Sequence, residues 1–270
     1  VSIRDRLRGD PQIFAMGGGG FTMEPDNPAL DDFVLTLTDR AEPRILFLPT
    51  ASGDPTAQIT AFHARFARRA SAAHLSLFRR HGSARSLADI VLEQDAIYVG
   101  GGSMRNLLAI WRAHELDALL IEAWRRGIVL AGLSAGAMCW FAGGVTRSGG
   151  PLERIDGLGL LPGSFTVHAD GEPERLPVWL AAVRSGELPG GWAADDGVGL
   201  LFRGTRMVRI VTSRPGTAAL RVDAVGDELV RHRIEPELLG AGPGGRMAPG
   251  SMPVPDDIRE LRELRQAMRR

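Results

Sequence analysis

Short apolar runs that end in glycine or turn residues alternate along the chain with longer amphipathic stretches. Ile13-Phe14-Ala15-Met16 leads into Gly17 to Gly20, and Arg44 to Leu48 into Pro49-Thr50-Ala51-Ser52-Gly53. Asp95 to Val99 leads into Gly100-Gly101-Gly102, and Gly127 to Leu133 into Ser134-Ala135-Gly136. Apolar runs of this length, bounded by glycine, read as strands buried on both faces. Between them lie helical patterns. Thr56 to Ala70 puts Ile59, Phe62 and Phe66 on one face, and Met104 to His114 and Leu116 to Arg126 behave alike. Strand–helix alternation predicts an α/β fold, a mostly parallel sheet with helices on both sides. Sites in such sheets gather at the carboxyl ends of the strands, where all these glycine turns fall.

The character changes after about Val198. Gly199 to Arg203, Arg206 to Thr212, Ala218 to Val222 and Glu228 to Ile234 read as short strands, with turns at Arg214-Pro215-Gly216 and Gly226-Asp227. They are expected to extend the same single domain in antiparallel fashion. The core then spans about 10–212 and a β-hairpin extension 213–239. Residues 240–255, rich in Gly and Pro, read as a linker, and Asp256 to Arg269 as a final amphipathic helix. That helix docks either on the body or on a second subunit, so a homodimer is one expectation.

At 270 residues the chain can bury roughly three quarters of its unfolded surface and needs no covalent staples. Its 32 basic and 32 acidic residues balance, which gives no reason to expect a nucleic acid or an acidic membrane as partner. Every basic residue is Arg, so chemistry that needs a Lys is excluded. The single cysteine, Cys139, excludes an intrachain disulfide and a Cys-rich zinc site. Neither a signal-peptide core nor an apolar stretch of membrane-spanning length is found, so the expected location is cytoplasmic.

Gly132-Leu133-Ser134-Ala135-Gly136 fits G-x-S-x-G. That pattern turns a strand sharply into a helix and lifts the serine out of the sheet, between neighbours small enough to admit a substrate. The plainer alternative is that Ser134 only caps the helix expected to begin at Ala137-Met138-Cys139. A serine nucleophile needs a base. His168 ends the run Ser164-Phe165-Thr166-Val167, after a turn at Leu161-Pro162-Gly163 and before the loop Ala169-Asp170-Gly171. A strand end beside a loop suits general-base work, although a surface histidine would look the same. The imidazole needs an orienting carboxylate. Asp195-Asp196-Gly197, before the strand from Val198, offers two, and an ordinary turn is the competing reading.

Taken together, Val99 to Leu108 (VGGGSMRNLL), Gly127 to Ala137 (GIVLAGLSAGA), a histidine 34 residues beyond Ser134 and an acid before glycine resemble the peptidase E family, over about Ile13 to Val211. That family contains aspartyl dipeptidases and, more distantly, cyanophycinases. The resemblance implies a three-layer α/β/α sandwich, flavodoxin-like and similar to class I glutamine amidotransferases. It implies hydrolysis of small peptides, dipeptides with N-terminal Asp foremost, without cofactor or metal. The implied catalytic residues are Ser134, His168 and Asp196, with Asp195 the alternative acid. Ala135 and Gly101 or Gly102 would donate to the oxyanion. Better-known members use Glu as the third residue, one methylene longer. Arg175, with Asp170 nearby, matches only loosely the family segment that carries a substrate-binding Arg, and a solvated Arg175 is equally expected.

Other readings remain at this level. A cyanophycinase-like hydrolase of β-aspartyl peptides would share the same three residues. A non-catalytic binding protein would keep the scaffold with Ser134 as a cap. A nucleotide binder fits poorly, because neither glycine run completes G-x-G-x-x-G/A. Cys139 lies five residues beyond Ser134 and reads as a small buried hydrophobe rather than a nucleophile.

Overall fold

The computed structural model describes residues 10–78, 85–226 and 228–240. Outside them fall His81, residue 227 of the expected second turn, all but the first residue of the 240–255 linker, and the terminal helix. The first half alternates as expected: β1 (Gln12–Met16), α1 (Gly20–Met23), α2 (Ala29–Thr36), β2 (Arg44–Leu48), α3 (Thr56–Phe66), β3 (Ser71–His74), α4 (Leu87–Leu92), β4 (Ala96–Val99), α5 (Met104–Ala113), α6 (Leu116–Arg125) and β5 (Val129–Leu133). There follow α7 (Ala135–Met138), β6 (Phe141–Thr146), β7 (Glu153–Asp156), β8 (Leu161–Thr166), α8 (Arg175–Arg184) and β9 (Gly191–Ala194). The chain continues through β10 (Val198–Arg203), β11 (Arg206–Thr212), β12 (Ala219–Val225), β13 (Glu228–Ile234) and β14 (Glu237–Leu238).

The strands form two sheets. One has eight strands in the order β14-β11-β10-β1-β5-β4-β2-β3. Its β1, β5, β4, β2 and β3 are parallel; β10 pairs antiparallel with β1, and β11 antiparallel with β10. The residues of each central strand alternate between two cores. Ile13, Ala15, Leu46, Leu48, Ile97 and Val99 pack on one face, with Trp111 and Leu120 from α5 and α6. Phe14, Met16, Ile45, Phe47 and Tyr98 pack on the other, with Phe33 from α2 and Phe62 from α3. This is the expected helix–sheet–helix layering, and it explains why these strands read as continuous apolar runs.

The second sheet was not anticipated. It has six strands in the order β13-β12-β9-β8-β6-β7, and its Phe141, Phe165 and Trp192 join the first core. A third cluster, with Trp179 and Val183 of α8 against Val145, Ala193 and Val222, packs this sheet against α8. Several expectations change as a result. Leu161-Pro162-Gly163 begins β8 rather than forming a turn. The helix after Ser134 stops at Met138, because Phe141 enters β6. Within 213–239, β12 and β13 are woven into the second sheet, with Ala219 in register with Ala194 of β9, while β14 pairs with β11 of the first.

One buried polar cluster ties the layers behind β4. Tyr98 donates its hydroxyl to Asp31 Oδ1 at 3.1 Å, and Asp31 Oδ2 lies 3.1 Å from Arg65 Nε. Asp31 is fully buried, and that desolvation raises its carboxyl to about 6 against the opposing pull of Arg65 and Tyr98. A raised carboxylate pKa means that the fold favours the protonated form. Its contribution to stability is whole below the unfolded value of 3.8 and is lost as pH rises through about 6. We expect the unfolding free energy of the wild type, relative to Asp31→Asn, to fall by roughly 3 kcal/mol between pH 3.5 and 7 and then level off. Denaturant titration of both proteins across that range checks it, and a flat difference would show that Asp31 does not titrate there.

Candidate active site

β5, buried along its whole length, delivers the chain to Ser134. There the backbone takes φ 53°, ψ −118°, a conformation that costs a non-glycine residue about 1–3 kcal/mol. Three hydrogen bonds hold it. Ser134 N–H donates to Met16 O at 3.0 Å, and the Ser134 carbonyl accepts from Ala137 and Met138 N–H at 2.9 Å each. The flanking glycines are required by space. A Cβ on Gly132 would run into the Gly136 carbonyl, and one on Gly136 would sit 2.5 Å from Val99 O. The G-x-S-x-G spacing is thus a packing demand as well as a motif.

The Ser134 hydroxyl makes no cap bond to α7. Its Oγ lies 2.8 Å from His168 Nε2. The other ring nitrogen, Nδ1, is hydrogen-bonded to Asp196 Oδ1. Hydroxyl, imidazole and carboxylate therefore form one line. The His168 and Asp196 side chains are 15% and 13% exposed, dry enough to strengthen the pair but open to a substrate. His168 stands just past β8 at φ 53°, its N–H donating to Gly17 O at 3.2 Å. Of the other described histidines, His63 and His74 bond each other at 2.9 Å, His114 caps α5 and His232 lies on β13; none lines the cleft.

The two neighbouring acids point different ways. Asp195 Oδ2 accepts the Ala218 N–H at 2.8 Å and so anchors the start of β12, and burial raises its pKa. Asp196 turns to the imidazole, and its own N–H donates to Asp170 Oδ1 at 2.8 Å. Asp170 is exposed and does not border the cleft, so it stands behind the carboxylate rather than facing a ligand. Gly18 fits beneath this pair. A Cβ there would lie 2.9 Å from His168 Nδ1 and would collide with Asp196 Oδ1.

The line opens on a cleft of about 510 Å³. Gly101, Gly102 and Ala135 border it beside Ser134. A Cβ on Gly101 would be 3.3 Å from Ser134 Cβ, and Gly102, at φ 138°, crosses tight against the Ala51 carbonyl. Among the described residues no acceptor takes the N–H of Gly101, Gly102 or Ala135. Thr22, Ser52 and Gln58 contribute polar groups elsewhere on the wall. Arg147, Glu172 and Arg175 bring charge. Arg175 is buried, not solvated, with Nη1 donating to Val145 O at 2.6 Å and Nη2 to Glu172 Oε2 at 2.8 Å. Sequence reasoning missed Arg147 and Glu172, and an Arg in a polar turn carries no signal that would have singled it out. Among the described residues no cluster of His, Cys, Asp and Glu is arranged to hold a metal ion, and no helix is long and apolar enough to cross a membrane.

A serine, histidine and aspartate joined at the cleft edge of a layered α/β frame make the arrangement of a serine hydrolase. Comparison narrows the class: the chain belongs to peptidase family S51, whose model matches residues 13–210. Over 230 residues it is 47% identical to the uncharacterized peptidase YgaJ of Bacillus subtilis (strain 168), covering 85% of this chain and 99% of that one. The fold resembles that of a peptidase from an acI-B1 actinobacterium, with a TM-score of 0.65 at 19% identity over 85% of this chain and 99% of the other. It also resembles a Listeria monocytogenes EGD-e protein provisionally assigned as peptidase E, with a TM-score of 0.53 at 18% identity over 74% and 98% of the two chains.

Gly18→Ala tests how closely the pair is seated. Its methyl should force His168 and Asp196 apart and slow fluorophosphonate labelling of Ser134 by about 10²-fold, with the fold retained. Labelling at the wild-type rate would show that the pair tolerates displacement.

Proposed function

We propose that this peptidase hydrolyses small peptides, foremost dipeptides with an N-terminal aspartate, through a Ser134–His168–Asp196 triad and an acyl-enzyme. The observation that carries the reading is the unbroken hydrogen-bonded line from Asp196 through His168 to Ser134 Oγ at the cleft. The cleft volume of about 510 Å³ supports a small ligand. The Arg147 guanidinium on its wall supports an acidic one.

His168 Nε2 takes the Ser134 proton as Oγ attacks the carbonyl carbon of the N-terminal residue. The carbonyl π pair moves onto oxygen, where the N–H groups of Ala135 and of Gly101 or Gly102 stabilise it. Collapse of this intermediate breaks the C–N bond, and the departing amine takes the proton from His168. Water then attacks the ester, gives a proton to His168, and the acid leaves as Ser134 regains its hydrogen. Asp196 holds the ring in the productive tautomer and stabilises the imidazolium.

Digestion of a dipeptide library by the wild type and by Ser134→Ala tests the assignment. Turnover should fall by about 10³-fold or more in the variant, and fluorophosphonate labelling should vanish. Full activity in Ser134→Ala would refute the mechanism.

A further inference from the structure

The three charged residues on the cleft wall are not equivalent. Arg175, the first residue of α8, is 6% exposed, and all three of its guanidinium nitrogens are engaged. Nη1 donates to Val145 O at 2.6 Å, while Nε and Nη2 donate to Glu172 Oε2 at 3.2 and 2.8 Å. Pulling a buried guanidinium away from such partners leaves charge uncompensated, which is strongly unfavourable. Arg175 therefore belongs to the wall that a ligand meets, and it neutralises Glu172.

Arg147, in the loop after β6, is held differently. Its side chain is 20% exposed, and its Nε stands 3.8 Å from Glu172 Oε2, beyond hydrogen-bond reach. Its Nη2 pairs with Glu174, whose side chain is 54% exposed. A pair facing solvent in this way contributes only about 0–1 kcal/mol, so its carboxylate can be exchanged for another at little cost. The loop is nonetheless positioned. Ser148 N–H donates to Thr146 Oγ1 at 3.2 Å, and Arg105 N–H donates to Ser148 Oγ at 3.4 Å.

We infer that Arg147 is the residue that reads an acidic substrate side chain, with the Glu174 carboxylate as the occupant that the substrate displaces. The inference rests on the peptidase reading of the cleft, and it moves the acid-reading role from Arg175 to Arg147. The guanidinium fork matches a carboxylate in two parallel hydrogen bonds, which an amide of the same shape cannot accept in full. A neutral residue would have to leave the Arg147–Glu174 pair in place or strand its charges. The carboxylates that hold Arg147 are themselves close to the chemistry in sequence: Glu172 N–H donates to His168 O at 2.8 Å, and Glu174 follows two residues later.

Binding and turnover are measured with aspartyl and asparaginyl dipeptides that are otherwise identical. Calorimetry on Ser134→Ala gives the binding ratio without turnover, and kcat/KM on the active protein gives the kinetic ratio. The aspartyl peptide should be preferred, and Arg147→Gln should cut that preference about tenfold. Glu174→Gln, which removes the competing carboxylate, should instead tighten aspartyl binding. Thermal melts establish that each variant is folded. An Arg147→Gln protein that keeps the wild-type preference overturns the inference. So does a wild type that hydrolyses both peptides and labels with fluorophosphonate but does not distinguish them. Preferential aspartyl binding that depends on Arg147, in a protein that turns neither peptide over, upholds the reader and strikes only at the proposed chemistry.

Discussion

The main chain of residues 16–18, where β1 ends, is the constraint on which the site depends. Met16 O accepts the Ser134 N–H, Gly17 O accepts the His168 N–H, and Gly18 O accepts the Gly197 N–H beside Asp196. Three consecutive carbonyls thus fix the backbone of three side chains that lie far apart in sequence. Gly17 N–H donates in turn to Val198 O at 2.9 Å, which closes the segment against β10. Two of the residues held, Ser134 and His168, have φ of 53° and would relax if released. The strain is stored locally and met by hydrogen bonds from one short stretch. Its two glycines leave no room for side chains: a Cβ on Gly17 would lie 2.5 Å from Asp195 O. The first glycine run therefore serves as the bed on which the imidazole and carboxylate rest.

Legibility in the sequence followed burial. β1, β2, β4 and β5 were readable because both of their faces are covered, so every buried position had to be apolar. The strands of the second sheet before β12 were hidden by their glycines. Gly144 in β6, Gly163 in β8 and Gly191 in β9 all signal turns by composition. In the structure they permit close approach: a Cβ on each would meet the carbonyl of Phe165, Gly190 and Ser164 respectively. Within the site, Ser134 carried a local motif and His168 a suggestive position. The choice between Asp195 and Asp196 was not local at all. Adjacent residues in a turn diverge, and which one meets the imidazole depends on β12 claiming the other through Ala218. Arg147 was silent because its meaning comes from Glu172 and Glu174, residues more than twenty positions away.

Charge on the cleft wall shows a division of labour. Two cations and the Glu172 carboxylate share one side, so the local field is less positive than a count of arginines suggests. Arg175 spends its hydrogen bonds on Val145 and Glu172 and thereby fixes the N-terminal end of α8 against β6. Arg147 keeps a looser partnership at the rim. Buried ion pairs of the first kind mainly specify geometry, whereas exposed pairs of the second kind remain free to exchange.

The third residue raises a question of reach. Aspartate is one methylene shorter than the glutamate found in better-known proteins that the chain resembles, yet Asp196 Oδ1 bonds directly to His168 Nδ1. The backbone makes up the difference. Asp170 Oδ1 takes the Asp196 N–H at 2.8 Å, Gly18 O takes the Gly197 N–H at 3.2 Å, and Ser213 N–H donates to Gly197 O at 2.9 Å. Gly197 stands at φ 83°, which lets the chain bend sharply enough to enter between these partners. Gly18 and Gly171 leave the space the carboxylate fills, a Cβ on Gly171 lying 3.0 Å from Asp196 Oδ2. A longer side chain on the same backbone would meet the imidazole too soon. The identity of the acid, the absence of side chains around it and the exposed Asp170 behind it are thus one solution to one distance.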